Sequence, residues 1–310
     1  MTEDKSDFKK EILAVIMMGL LFVVIHGIAL LLTSTFESAG MQAFDDTEDP
    51  MNIAFILTIM LVFTVLILVI SRYWKKELIQ VIILGAIGYT SFIVFYPLFD
   101  LLFPGNLWLL SLLPSIALAF IIVVALFKYP EWWVIDISGI VVGAGAIVIF
   151  GISLAIWLVI ILLIILSIYD AISVYKTKHM IDLADTVMDL KLPVLLVVPK
   201  IRHYSLIKET KSLKEKIKED EERDAFFMGL GDVVMPGILV IAIYNSINNS
   251  LPIVLSVIIG TLIGFTVLMA FVINGKPQAG LPALCGGAIL GYIISSYILY
   301  GEIVGLTIPL

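Results

Sequence analysis

The chain has 310 residues, of which 61% are hydrophobic and only 15% charged, with a mean hydropathy of +1.10 and a formal net charge of −7. That composition excludes a soluble globular domain, and the acidic balance leaves no basic face for nucleic acid. A single cysteine, Cys285, excludes an intrachain disulfide and a multi-thiolate metal site.

What remains is a polytopic, all-α membrane protein. At about 20 residues per crossing, nine apolar runs read as spanning helices: residues 12–33, 52–70, 78–102, 107–127, 134–151, 154–175, 225–245, 251–273 and 281–299. Lys9 and Lys10 precede the first run and small residues follow it at Ser38, Ala39 and Gly40, a secretory-signal pattern. Its apolar core is longer than that of a signal, so it is retained as a span. His26 within it has no His or Cys at ligand spacing and reads as a packed histidine; neither a metal nor a cofactor is expected.

Threading the chain through nine spans places all 19 Lys and Arg residues on one side. The opposite side receives the acidic segment 34–51, with Glu37, Asp45, Asp46, Glu48 and Asp49. The positive-inside rule then predicts a cytoplasmic N-terminus and an outer C-terminus. Trp74, Trp132 and Trp133 sit beside basic loops, as interfacial anchors do. Asp136 follows at the start of the fifth span, where a helix N-terminus satisfies a carboxylate cheaply.

One hydrophilic interruption, residues 176–224, separates a six-helix part (1–175) from a three-helix part (225–310) of one integral membrane domain. Residues 180–190 carry the pattern of an amphipathic interfacial helix. Pro193 and Pro199 bracket Val194, Leu195, Leu196, Val197 and Val198, an apolar run too short to span and rich in β-branched residues, which predicts a strand. Residues 208–224 alternate charge and read as a solvated face.

Two carboxylates break the apolar pattern: Asp170 in Tyr169-Asp170, and Asp232 in Gly229-Leu230-Gly231-Asp232. Charge at membrane depth is costly and reads as functional by default. Counted from the loop ends at helical rise, both lie at similar depth, roughly 9 Å and roughly 12 Å below one face, on antiparallel neighbours. Carboxylates brought close in a low dielectric cannot both ionise, so the pair would share one proton and offer an acid and a base together. Gly229 and Gly231 would admit a neighbouring backbone beside Asp232. A secondary transporter or channel, using the aspartates to couple a proton or cation, is the alternative from another class. Such a protein more often shows broken helices in corresponding halves, and here the acids cluster toward one face.

Tyr169-Asp170, Gly229-Leu230-Gly231-Asp232 and Pro282-Ala283-Leu284, in that order along nine spans, resemble the YD, GxGD and PAL motifs of the presenilin and signal peptide peptidase family. The resemblance implies an intramembrane aspartic endopeptidase that hydrolyses peptide bonds within transmembrane segments. Asp170 and Asp232 would be its catalytic dyad, with Pro282, Ala283 and Leu284 packed beside them. Substrates would be transmembrane-helix proteins or signal peptides in the lipid bilayer, clamped as an extended strand near the segments after the sixth span and before the seventh, which makes Val194 to Val198 a candidate. Single-chain members of the family act alone, so accessory subunits are not expected, and a homo-oligomer is compatible with the resemblance. The compact chain is similar to microbial, archaeal presenilin-like homologues of the plasma membrane.

Overall fold

The computed structural model describes residues 2–73, 76–103, 108–177, 195–201, 204–207, 224–273 and 278–306. Nine α-helices and two strands occur among them: α1 (Thr2–Ser38), α2 (Met51–Tyr73), α3 (Lys76–Leu102), α4 (Trp108–Lys128), α5 (Trp132–Ser153), α6 (Ile156–Ile172), β1 (Leu195–Pro199), β2 (Ala225–Gly229), α7 (Leu230–Ser246), α8 (Leu251–Ile273) and α9 (Gly280–Tyr300). Seven of these helices contain a stretch long and apolar enough to cross a membrane, and α7 and the fully described part of α2, Met51–Ile67, are shorter apolar helices.

Local chemistry accounts for the ends of α1. Gly40 adopts φ +64°, its N–H donates to Glu37 O, and the Met41 N–H donates to Phe36 O. This is the left-handed helix terminator that glycine alone accommodates without strain. The small residues at 38–40 are therefore a cap.

The seventh span departs from the sequence expectation. Residues 225–245 do not form one helix, because Ala225–Gly229 is a strand paired antiparallel with β1. That leaves α7 with 17 residues, about 25 Å of helix at 1.5 Å per residue, short of the ~30 Å hydrocarbon core. The depth derived for Asp232 from helical rise fails for the same reason, since five of the residues counted are extended. The sixth span agrees with the expectation: α6 runs on past Ile172 as a π-turn, Ser173–Thr177, and the apolar stretch covers Ile156–Lys176.

The strand expectation holds for Leu195 to Pro199. Val194, the expected helix at 180–190 and most of the charged segment 208–224 lie outside the described residues.

Between Val233 and Ile243, α7 is apolar all round and enclosed: Val233, Leu239, Val240, Ile241, Ala242 and Ile243 are all fully buried, as a helical stretch without a polar face must be when it does not face lipid. One continuous core joins it to α1, α5, α6, α8 and α9. A second cluster joins α3, α4 and the start of α5 to one side of the sheet through Val197 and Ala225. Leu196, Val198, Phe226 and Met228 face the first cluster. Alternate residues of both strands thus point to opposite cores, the period of two expected of a sheet buried on both faces.

Backbone contact fixes α9 against α8. A Cβ at Gly260 or Gly264 would overlap the backbone of Gly287 or Ala283, and one at Gly287 or Gly291 would overlap Gly260 or Ser256. Such small-residue contacts let membrane helices approach without a hydrophobic driving force. The contact at Gly264 seats Ala283 and Leu284, at the entry of α9, against α8.

Candidate active site

Asp170 lies on the last turn of α6 and is 5% exposed. Its Oδ2 accepts the Leu281 N–H at 3.1 Å. One turn earlier on the same helix face, Ser167 Oγ donates to the Leu281 carbonyl oxygen at 3.4 Å. α6 therefore holds Leu281 by both its backbone donor and its backbone acceptor.

Asp232 occupies the first turn of α7, directly after β2, and is half-buried. Its carboxylate occupies the space beside Gly280: a Cβ built there would stand 2.7 Å from Oδ2 and 3.0 Å from Cγ. Any side chain at 280 would displace the carboxylate. Gly229 is less crowded, its Cβ position lying 3.4 Å from the same oxygen. The two aspartates thus converge on one dipeptide, Gly280-Leu281, and stand within electrostatic reach of each other.

The motif residues divide by location. Leu284 is fully buried, as is Cys285 next to it. Pro282 and Ala283 lie at the entry of α9, half-buried. Tyr169 is 63% exposed. Gly231 is exposed and has nothing within 4 Å of its Cβ position, so it leaves open space beside Asp232. Sequence reasoning missed Gly280, Leu281 and Ser167. The adjacency of Gly280 to Leu281-Pro282 was the available signal, but only the folded chain shows what the missing side chain makes room for.

Outside the dyad, Tyr175 Oη donates to Gln278 Oε1 at 2.6 Å, an exposed tie between the π-turn and the segment entering α9. Asp136, 6% exposed, accepts the Val197 N–H at 2.8 Å, so this carboxylate serves β1 across the fold as well as sitting near its own helix N-terminus. His26 donates through Nδ1 to Phe22 O at 2.6 Å and packs beside Gly237 of α7. Among the described residues no group of three His, Cys, Asp or Glu side chains stands at metal-ligand spacing.

Two carboxylates thus meet at the entry of one helix inside an apolar helical bundle. The family described as signal-peptide peptidase, presenilin aspartyl protease matches residues 18–300. A solved structure of a presenilin family intramembrane aspartate protease in space group C222 is 32% identical, with a TM-score of 0.68, covering 92% of this chain and 99% of that one. A second, in space group P2, is 33% identical with a TM-score of 0.68, covering 91% of this chain and 96% of that one. A comparison with curated proteins finds no match. The chain belongs to the presenilin and signal peptide peptidase family, and it is an intramembrane aspartic endopeptidase.

Proposed function

We propose that Asp170 and Asp232 are the catalytic dyad and that the protein hydrolyses peptide bonds within transmembrane segments as a single chain. The convergence of both carboxylates on Gly280-Leu281 carries this reading. One member, ionised, takes a proton from water as its oxygen attacks the scissile carbonyl. The other, protonated, donates to the carbonyl oxygen, giving a gem-diol. Collapse of the gem-diol breaks the C–N bond, and the leaving nitrogen takes a proton from the dyad. The open side of Asp232, beside Gly231, is where water and substrate would enter.

A helical substrate must unwind locally, and its freed backbone groups need partners at membrane depth. The Lys200 N–H donates to Asp224 O at 2.8 Å. By antiparallel alternation, Leu196 and Val198 then exchange bonds with Met228 and Phe226, and the backbone N–H and C=O groups of the odd-numbered residues face the outer edges of the sheet. β2 therefore offers the Phe227 N–H and carbonyl and the Gly229 N–H on an edge that no third strand occupies among the described residues. We place the substrate strand there, with β1 as the inner strand that supports it and the buried Leu284 supporting the site from beneath.

The nine apolar helices would make nine crossings, the short α7 being completed by β2, with the N-terminus cytoplasmic and the C-terminus outside in a microbial plasma membrane. The one-sided Lys and Arg distribution supports that orientation. Incubating the purified protein with a transmembrane peptide, followed by mass spectrometry, should give two complementary fragments cut inside the apolar segment. Intact peptide would reject the single-chain reading.

A further inference from the structure

The two edges of the sheet beside the dyad are not equivalent. On the outer edge of β1 the Val197 N–H donates to Asp136 Oδ1 at 2.8 Å, with Asp136 6% and Val197 1% exposed. Among the described residues this is the one hydrogen bond that the carboxylate accepts. Pro199, the next residue whose backbone faces that edge, has no N–H to offer. Placing a carboxylate in an apolar bundle is a costly way to satisfy one backbone donor.

The helix face that carries Asp136 explains what the bond achieves. Asp136, Gly139 and Gly143 recur at spacings of three and four, on one face of α5. A Cβ at Gly139 would lie 3.1 Å from Leu196 of β1 and 3.7 Å from Leu230, and one at Gly143 would lie 3.1 Å from Leu230. Leu230 begins α7, two residues before Asp232. A single face of α5 thus seats β1 and the helix turn that carries the catalytic carboxylate. The far end of β1 is held separately, by Lys200 Nζ on Glu11 at 2.6 Å.

We propose that Asp136 is a positioning residue for the cleavage of membrane-spanning substrates: it closes the outer edge of β1 and fixes the sheet on α5, so that an unwinding substrate can pair only with β2, the strand that runs directly into Asp232. The proposal rests on the protease reading above. Without the bond, β1 would carry an unpaired buried N–H and a looser seat on α5, so that a substrate strand paired with β2 would be held less constantly against the dyad. Binding would persist while productive turnover fell.

The test compares Asp136→Asn, whose amide oxygen can still accept from Val197, with Asp136→Leu, which cannot. Each is assayed on a transmembrane peptide and on a short, already extended peptide. Asp136→Asn should stay near wild type on both. Asp136→Leu should lower kcat on the transmembrane peptide about tenfold, the change carried by ~1.4 kcal/mol of barrier, with little change in KM and a much smaller loss on the short peptide. Hydrogen exchange over residues 195–199 should quicken in Asp136→Leu and not in Asp136→Asn. Val197→Pro removes the donor instead of the acceptor, and combined with Asp136→Leu it should cost no more than the worse single variant, because both act through one bond. It also carries the test if Asp136→Leu does not fold. Additive losses, a folded Asp136→Leu enzyme with wild-type kcat, or equal losses on both substrates would overturn the proposal. A wild-type protein that cleaves neither peptide would overturn the protease reading and the positioning role together, and the exchange data would separately decide whether Asp136 closes the edge.

Discussion

The two halves of the site are built to different specifications. Asp170 stands at the end of a continuous apolar helix, buried, with its oxygen tied to the Leu281 N–H and Ser167 one turn away on the Leu281 carbonyl. Asp232 stands in the first turn of a short helix that leaves a strand, half-buried, beside Gly231, which leaves space, and Gly280, where any side chain would collide with it. One carboxylate is held by hydrogen bonds and the other by the shape of its surroundings. The difference suits a site in which the Asp170 side stays fixed while the Asp232 side receives an incoming backbone.

The largest test removes that distinction. Asp170→Asn and Asp232→Asn should each abolish cleavage, a loss of at least the ~10²–10⁴-fold that a positioned acid or base supplies, despite their unequal exposure. Mass spectrometry of peptide products, with a melting curve to show that each variant folds, decides it. The wild-type pH profile should be bell-shaped, since the base is lost when both groups are protonated and the acid is lost when both are ionised. Substantial cleavage by either folded variant would sink the dyad.

A smaller effect sharpens the comparison on the Asp232 side. Gly280→Ala would place a methyl group 2.7 Å from the carboxylate oxygen, and a displacement on the scale of 1 Å at a reacting group costs on the order of 10²-fold. Gly231→Ala meets nothing within 4 Å and should leave stability within about 0.5 kcal/mol. Measuring kcat and thermal midpoint for both variants tests whether crowding at 280 positions Asp232; equal kcat losses would refute it.

The smallest expected effect is none on activity. In a Cys285→Ala background, a cysteine at Asp46 should react with an impermeant label from outside the cell, and one at Lys211 only from inside. The reverse pattern at either position would overturn the nine-crossing orientation.

The polytopic class and the two carboxylates that break the apolar pattern were legible in the chain because charge is rare in an apolar sequence and each exception stands out. The order of the Tyr169-Asp170, Gly229-to-Asp232 and Pro282-to-Leu284 motifs pointed to the family for the same reason. The strand at β1 was legible too, since a short β-branched run between prolines can neither span a membrane nor continue a helix. Its partner was not. Residues 225–229, Ala-Phe-Phe-Met-Gly, run without a polar break into the apolar residues of α7, and hydropathy cannot separate an apolar strand from an apolar helix.

Composition and the placement of single charged residues therefore settled the solvent, the helical class and the carboxylates, because those depend on transfer energies that each residue carries by itself. Tertiary structure alone decided that Ala225–Gly229 pairs with β1, that Asp136 serves Val197 across 61 residues of chain, and that Gly280 makes room for Asp232. Each of these is a contact between distant segments, and its free energy exists only once the bundle has brought them together.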